Sequence, residues 1–241
     1  MLTDILVVMW KELREILFPD GRFQGGAKNI LILLGIAGVL FPIQAGPQWF
    51  SSWLSVSSAC FPIILVLNYT ADAFAGERER HTLETLLASR LDDRAILLGK
   101  LAAIVVYGWG LVLVCQPLAV VAVNLANRGH GLLFFRPEIL LAIAGVSLAA
   151  ALVICSVGVL VSLTAPTVRA AGQRMLVPFF AVFALPMMLP WLARKAHWEG
   201  ALTQLTPPMA VAIVAAVFFA VAAAAIALAL RRFTRERLVL A

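Results

Sequence analysis

The sequence predicts an all-α integral membrane protein with six transmembrane helices, an N-terminal interfacial elbow helix and a cytoplasmic helix between spans 2 and 3. Of the 241 residues, 62% are hydrophobic and only 13% are charged, whereas soluble domains average about 45–50% apolar and about 25% charged residues. The mean hydropathy is +0.96. Six stretches also approach or exceed the roughly 20 apolar residues that a spanning helix needs.

The six predicted spans form one transmembrane domain over residues 1–241. They cover residues 29–46, 50–74, 100–125, 138–163, 174–193 and 208–230. An even number of spans places both termini on the same side of the membrane. Because Lys and Arg are enriched in cytoplasmic loops, their distribution decides which side that is. Of 19 such residues, the ones on the other side are Arg128, Arg136, Arg194 and Lys195. We therefore expect a multi-pass protein of the inner (plasma) membrane with cytoplasmic termini.

Residues 1–20 are predicted to form the interfacial helix. Apolar residues recur at helical spacing from position 2 to position 17, and Asp4, Lys11, Glu12 and Glu15 fall on the opposite face. Thr3 is the expected N-cap, and Lys11 and Glu15 are spaced to pair. The helix is too short and too charged to span, so we expect it to lie flat at the cytoplasmic surface.

Two interpretations of this N-terminal helix remain open. It is either a simple anchor or an elbow that slides or tilts with span 1. The residues that we assign to the interface are Trp10, Lys11, Glu12 and Arg14.

The sequence offers no pattern typical of a metal, disulfide or catalytic site. Cys60, Cys115 and Cys155 all fall within predicted spans and lack CxxC spacing. Charges inside membranes are costly and usually functional, but the spans contain almost none, which disfavours a membrane enzyme or an ion-driven carrier. The basic residues are explained by topology, so nucleic acid is not an expected partner.

The most polar stretch, residues 76–90, lies between spans 2 and 3. Leu83, Leu86 and Leu87 share one helical face there, with charges of both signs around them. Arg80 and Glu84 are spaced to pair, and Asp92 is placed to cap a helix that continues into span 3. An amphipathic loop floating on lipid is the alternative, but lipid-binding segments are usually net basic. The mixed charge therefore favours contact with a soluble protein.

Two strings in this region resemble a known family. Gly-Glu-Arg-Glu-Arg-x-Thr-Leu-Glu-x-Leu-Leu at 76–87, followed by Arg-x-x-Leu-Leu-Gly-Lys at 94–100, is similar to the membrane subunit of ABC transporters of the type-2 permease family. The resemblance extends to the Trp-Lys-Glu-Leu-Arg string at 10–14, the six spans and the basic tail at 231–237. At 89–91 the chain has Ser-Arg-Leu, whereas many relatives have a proline nearby.

The resemblance implies an ATP-driven exporter whose coupling region, 76–98, contacts a cytoplasmic ATP-binding subunit. The coupling residues are then Glu77, Arg78, Glu79, Arg80, Thr82, Leu83, Glu84, Leu86 and Leu87. It further implies a second permease half, as a homodimer or heterodimer, around one pathway. ATP and Mg²⁺ would bind the partner, because this chain has no GxxxxGK[ST] phosphate loop and no cofactor of its own. A cytochrome c maturation (haem-related) exporter and a non-transporting scaffold are the alternatives.

Polar and proline residues within the spans suggest candidates for the pathway. Asn68, Tyr69 and Thr70 lie in span 2, and Pro178 and Pro186 lie in span 5. Proline removes a backbone hydrogen bond and kinks a helix, so span 5 could form a broken, movable wall. Span 4 carries small residues that allow close helix packing. The mostly apolar spans suit an apolar or amphipathic cargo.

Overall fold

The computed structural model describes most of the chain as helix. The described residues are 1–18, 24–51, 54–58, 60–80, 92–129, 131–195 and 206–233, and side chains are excluded at 24–27, 54, 57, 182–195 and 207. Within these ranges the chain forms helices and connections, with no strand. The predicted all-α class is therefore confirmed.

The described residues form nine α-helices, joined in places by other helical turns. In chain order the α-helices are α1 (Leu2–Leu17), α2 (Gln24–Gly35), α3 (Phe41–Ala45), α4 (Leu54–Ser58), α5 (Val66–Glu79), α6 (Asp93–Ala126), α7 (Pro137–Thr164), α8 (Val168–Lys195) and α9 (Pro207–Arg232). A π-helix at Ile36–Leu40 joins α2 to α3. One 3-10 helix, Gly46–Phe50, follows α3 directly. A second, Phe61–Leu65, directly precedes α5.

Four helical segments are long and apolar enough to cross a membrane. They are Lys28–Phe50, Asp93–Ala126, Pro137–Thr164 and Pro208–Arg232. These match the first, third, fourth and sixth predicted spans. The helix predicted to lead from Asp93 into span 3 is confirmed as the first turns of α6. Asp92 occupies the N-cap position, but its side chain makes no capping hydrogen bond.

The second predicted span, 50–74, does not form a single helix. Instead, α4 is followed by the 3-10 helix and then by α5, which continues five residues past the predicted end. Pro62 stands in the first turn of the 3-10 helix and has no backbone N–H to donate. Ser55 and Ser58 further weaken α4, because serine hydroxyls compete for backbone groups.

The fifth predicted span, 174–193, lies within α8. This helix has 28 residues and is not interrupted at Pro178 or Pro186. Proline is tolerated in membrane helices when neighbouring groups satisfy the freed carbonyl. The expected break at these prolines is therefore not present.

Helix α7 lies at the centre of the bundle and packs against α5, α6, α8 and α9. Most of the small residues predicted for close packing are buried along it, including Ala149, Ala150 and Ser156. At Gly158 a Cβ atom would lie 2.4 Å from both Thr70 Cγ2 and Met175 Cε, so a larger residue fits only if the side chains of Thr70 and Met175 shift. Small residues at α7 thus allow several helices to meet closely.

Candidate functional site

The site lies at the charged end of the bundle, where α1, the last turn of α5, the first turns of α6 and the end of α7 meet. Its centre is Lys100, whose side chain is only 3% exposed. The Nζ atom of Lys100 lies 2.7 Å from Glu77 Oε1 and 3.0 Å from Glu12 Oε1. We call these three residues the Lys100 cluster. It joins three helices through one ammonium group.

Burial of Lys100 explains why two carboxylates gather around it. Residues of its own helix, including Ile96 and Leu97, are fully buried beside it, and its ammonium lies 5.7 Å from the centroid of the Phe74 ring. A buried charge is stable only when it is paired and hydrogen-bonded. Glu12 and Glu77 supply that pairing, each with a side chain about 15% exposed.

Helix α1 reaches Lys100 because the preceding residue of α6 is glycine. A Cβ atom on Gly99 would lie 2.6 Å from Val8 Cβ and 3.1 Å from the backbone carbonyl oxygen of Ile5. Such distances are too short for any side chain, so α1 and α6 pack backbone against backbone at this point. Val8 and Ile16 of α1 are buried as a result.

The predicted helix at residues 1–20 is present as α1, but its faces differ from those predicted. Glu12, assigned to the face opposite the apolar residues, points into the bundle toward Lys100. Thr3 lies inside the first turn, and Met1 occupies the N-cap position without a side-chain hydrogen bond. The difference arises because the buried ammonium of Lys100 requires a carboxylate from α1.

The remaining predicted interfacial residues of α1 are exposed. Lys11 Nζ lies 3.2 Å from Glu15 Oε1, as predicted. Partial burial lowers the pKa of Lys11, but Glu12 and Glu15 outweigh this effect and the pKa is raised above its ordinary value. Trp10 is 67% exposed, and it lines a groove together with Arg14 and apolar neighbours at the end of α1. With Leu2 and Leu6 also exposed, α1 carries an apolar flank beside the flank that packs on α6.

Arg78 connects the end of α5 to the end of α7. Its guanidinium donates to the carbonyl oxygens of Ala165 and Leu163, at 2.8 and 3.0 Å. The last carbonyls of a helix lack partners within it and carry partial negative charge. Arg78 therefore stabilises the end of α7 while holding it against α5.

Ser162 of α7 makes a second connection to α5. Its hydroxyl donates to the Ala71 carbonyl at 2.9 Å and accepts from the backbone N–H groups of Phe74 and Ala75 at 3.1 and 3.0 Å. One buried hydroxyl thus uses its donor and both acceptor positions on the backbone of a neighbouring helix.

Arg80 pairs with a residue that the sequence did not suggest. Its guanidinium lies 2.5 Å from Asp72 Oδ2, and both side chains are well exposed. This hydrogen bond, together with the charge of Asp72, raises the pKa of Arg80 above its ordinary value. The predicted pairing of Arg80 with Glu84 stays a prediction, because Glu84 lies outside the described residues.

The structure separates the predicted coupling residues into two groups. Glu77 and Arg78 point into the bundle, toward Lys100 and α7, whereas Glu79 and Arg80 are exposed. The other predicted coupling residues lie outside the described part of the chain: Thr82, Leu83, Glu84, Leu86 and Leu87. Sequence reasoning did not identify Lys100 as a site residue. A lone lysine at the start of an apolar helix is a signal that could have found it.

The predicted pathway residues do not form one group. Tyr69 stacks edge-on against Tyr107 of α6, with ring centroids 5.0 Å apart, and Asn68 is exposed. Thr70 is buried against α7, and its hydroxyl donates to the Val66 carbonyl. Pro178 is half-buried on α8, while the side chain of Pro186 lies outside the description.

No cluster able to hold a metal ion occurs in the described part of the chain. Cys60, Cys115 and Cys155 are buried free thiols. At this end of the bundle, charged side chains connect the helices to each other through ion pairs and hydrogen bonds.

Comparison with known families gives a match over most of the chain. The family model described as ABC-2 family transporter protein matches residues 56–224, which run from α4 into α9. The match therefore includes more than half of the sequence, and within it Glu77, Arg78 and Lys100. No curated protein matches the chain.

Proposed function

The chain belongs to the ABC-2 family of transporter proteins, a family of ABC-transporter membrane permeases, and we propose that it is one six-span half of an exporter. Two such halves, as a homodimer or heterodimer, form the pathway, and separate cytoplasmic ATP-binding subunits drive it. The observation that carries the proposal is that ion pairs join helices at the charged end of the bundle. Glu77 and Lys100, on either side of residues 81–91, form an ion pair of 2.7 Å. A segment with both ends fastened to apolar helices is well suited to receive force from a partner.

The second and fifth spans of the proposed six come from α4–α5 and from α8. Helix α8 has 28 residues, about 42 Å at 1.5 Å per residue, which exceeds the roughly 30 Å hydrocarbon core. Residues 54–79, which run from the start of α4 to the end of α5, form a stretch with a similar number of residues to α8. The distribution of Lys and Arg supports a cytoplasmic position for both termini, with the charged end and α1 on the cytoplasmic side of the membrane.

ATP binding acts on the permease through the segment between α5 and α6. Leu83 and Leu86, with the charges around them, contact the ATP-binding subunit, which itself holds ATP and Mg²⁺. When the subunits close, they displace this segment, and α5 and α6 transmit the displacement along the bundle. The partner biases the two states only by contacting them differently.

The cargo of the proposed pathway is apolar or amphipathic. Apolar side chains dominate the long helices, and Asn68, Tyr69 and Thr70 of α5 are the polar residues that we assign to the pathway with Pro178 and Pro186. Transport runs outward. The apolar flank of α1 lies in the interface, with Trp10 and Arg14 at the headgroups and Lys11 facing water.

The proposal is tested by purifying the tagged chain in mild detergent after co-expression with candidate ATP-binding subunits. We expect a stoichiometric ATP-binding subunit and vanadate-sensitive ATP hydrolysis. The double substitution Leu83→Asp/Leu86→Asp should leave membrane insertion intact and abolish association. The matched control is Leu132→Asp/Phe134→Asp, which places the same charges at exposed positions between α6 and α7. A chain that purifies alone, or association that survives the first pair of substitutions, contradicts the proposal.

A further inference from the structure

We propose that Lys100 is a positioning residue that fastens α1 to both ends of the 81–91 segment, so that nucleotide-driven movement of this segment carries α1 with it. The inference rests on the proposed function, because it requires an ATP-binding subunit that moves residues 81–91. It goes beyond that function by assigning the N-terminal helix a part in the cycle and by naming the contact that couples it.

The geometry places three elements on one ammonium group. Glu77 lies just before the 81–91 segment, and Lys100 lies just after it in sequence. Their ion pair closes the loop between α5 and α6 at its base. Glu12 binds the same Nζ atom from α1. An ammonium has three donors, so it can hold both carboxylates at once. Displacement of the loop therefore moves the atom to which α1 is bound.

Burial makes this connection stiff. The Lys100 side chain is 3% exposed, and the carboxylates have little access to water. Separating Glu12 from Lys100 would leave a carboxylate that is poorly solvated, in a region of low dielectric constant where charges interact strongly. Movement of α1 together with α6 avoids that cost, whereas independent movement does not.

The contact between Gly99 and Val8, next to the Lys100 cluster, opposes sliding of α1 along α6. Gly99 allows α6 to lie directly against the Ile5 carbonyl oxygen and the Cβ atom of Val8 in α1, and Val8 is one helical turn from Glu12. A close backbone contact next to a buried ion pair fixes both the position and the rotation of α1 on α6. The apolar flank of α1, with Leu2, Leu6 and Trp10 exposed, is left free to move in the membrane interface.

The test uses the intact transporter, purified with its ATP-binding subunits and compared by hydrogen exchange with and without trapping by MgATP and vanadate. The variant Glu12→Ala removes the α1 contact but leaves the Lys100–Glu77 pair, so no isolated charge remains buried. Glu15→Ala is the matched control, since Glu15 lies on the same helix and is 60% exposed. Glu12→Met, which has a similar side-chain length but offers Lys100 no oxygen acceptor, replaces Glu12→Ala if the latter does not assemble.

In the wild type and in Glu15→Ala, trapping should change the exchange of peptides spanning residues 2–17 and 93–100 together. In Glu12→Ala the response at 93–100 should persist and the response at 2–17 should be lost. If Glu12 only stabilised the fold, Glu12→Ala would alter the hydrogen exchange of residues 2–17 before trapping. The response of these residues to nucleotide would remain intact. The inference is overturned if α1 responds in Glu12→Ala as in the wild type, or does not respond in the wild type. Failure to recover an ATP-binding subunit with the wild type would instead overturn the proposed function as well.

Discussion

Val8 of α1 lies against Gly99 of α6 so closely that a Cβ atom on Gly99 would be 2.6 Å from the Cβ of Val8. The next residue, Lys100, binds Glu12 of the same helix. Two adjacent positions of α6 therefore determine how α1 docks, the first through shape and the second through charge. Small residues commonly allow such close approach between membrane helices.

Gly99→Ala should weaken the docking of α1. The added methyl group would clash with Val8 and with the Ile5 carbonyl, and the backbone carbonyl is less able to move than a side chain. Overpacking of this kind costs about 1–3 kcal/mol. The measurement is the thermal unfolding midpoint of the purified protein in detergent, together with the protease susceptibility of residues 1–18.

Gly110→Ala is the matched control for this substitution. Gly110 lies in the same helix, and a Cβ atom there would have no atom within 4 Å. Alanine also has a higher helix propensity than glycine, so this variant should be neutral or slightly more stable. Equal losses of stability in the two variants would contradict the close contact at Gly99.

Local sequence patterns predicted the elements of the fold but not the contacts at the charged end. Apolar runs predicted four of the membrane-length helices, and helical spacing predicted α1 and the Lys11–Glu15 pair. These features depend on residues within a few turns of each other. Glu12 and Lys100 are 88 positions apart, and spacing along α1 alone cannot show which polar residue faces a lysine on another helix. The break near Pro62 was missed because composition there remains apolar.

Lys100→Met should be strongly destabilising, whereas Lys11→Met should not. Removing the ammonium leaves Glu12 and Glu77 close together and poorly solvated, and breaking a buried ion pair by deleting one partner costs about 3–5 kcal/mol. The Lys11 side chain, which forms ion pairs with Glu12 and Glu15, is 55% exposed. Ion pairs that are exposed to solvent contribute about 0–1 kcal/mol to stability. Both variants are compared by thermal unfolding in detergent.

A neutral version of the cluster tests the cause of that loss. In Lys100→Met/Glu12→Gln/Glu77→Gln none of the three positions carries a charge, so the triple variant should recover much of the stability that Lys100→Met loses. A triple variant that is no more stable than Lys100→Met would show that the loss comes from packing of the lysine side chain and not from the charges of the two carboxylates.

Arg78→Met should destabilise the protein more than Arg80→Met. Arg78 donates to two carbonyl oxygens at the end of α7, and hydrogen bonds from charged groups contribute about 1.5–3 kcal/mol. Arg80 is 60% exposed in its pair with Asp72, so its loss should cost no more than about 1 kcal/mol. Unfolding midpoints measured side by side would decide this, and the reverse order would contradict the capping of α7 by Arg78.

Ser162→Ala should loosen α5 from α7, whereas Ser156→Ala should have little effect. The Ser162 hydroxyl bonds three backbone groups of α5, and interhelical hydrogen bonds in membranes contribute about 0.6–2 kcal/mol. The Ser156 hydroxyl is equally buried but donates to Val153 in its own helix, so its removal breaks no connection between helices. Unfolding midpoints and hydrogen exchange of residues 71–75 measure the difference. Because Glu77 lies in the next turn of α5, a loosened α5 should also exchange faster at the charged end, and unchanged exchange in Ser162→Ala would mean that Arg78 and Lys100 hold α5 without it.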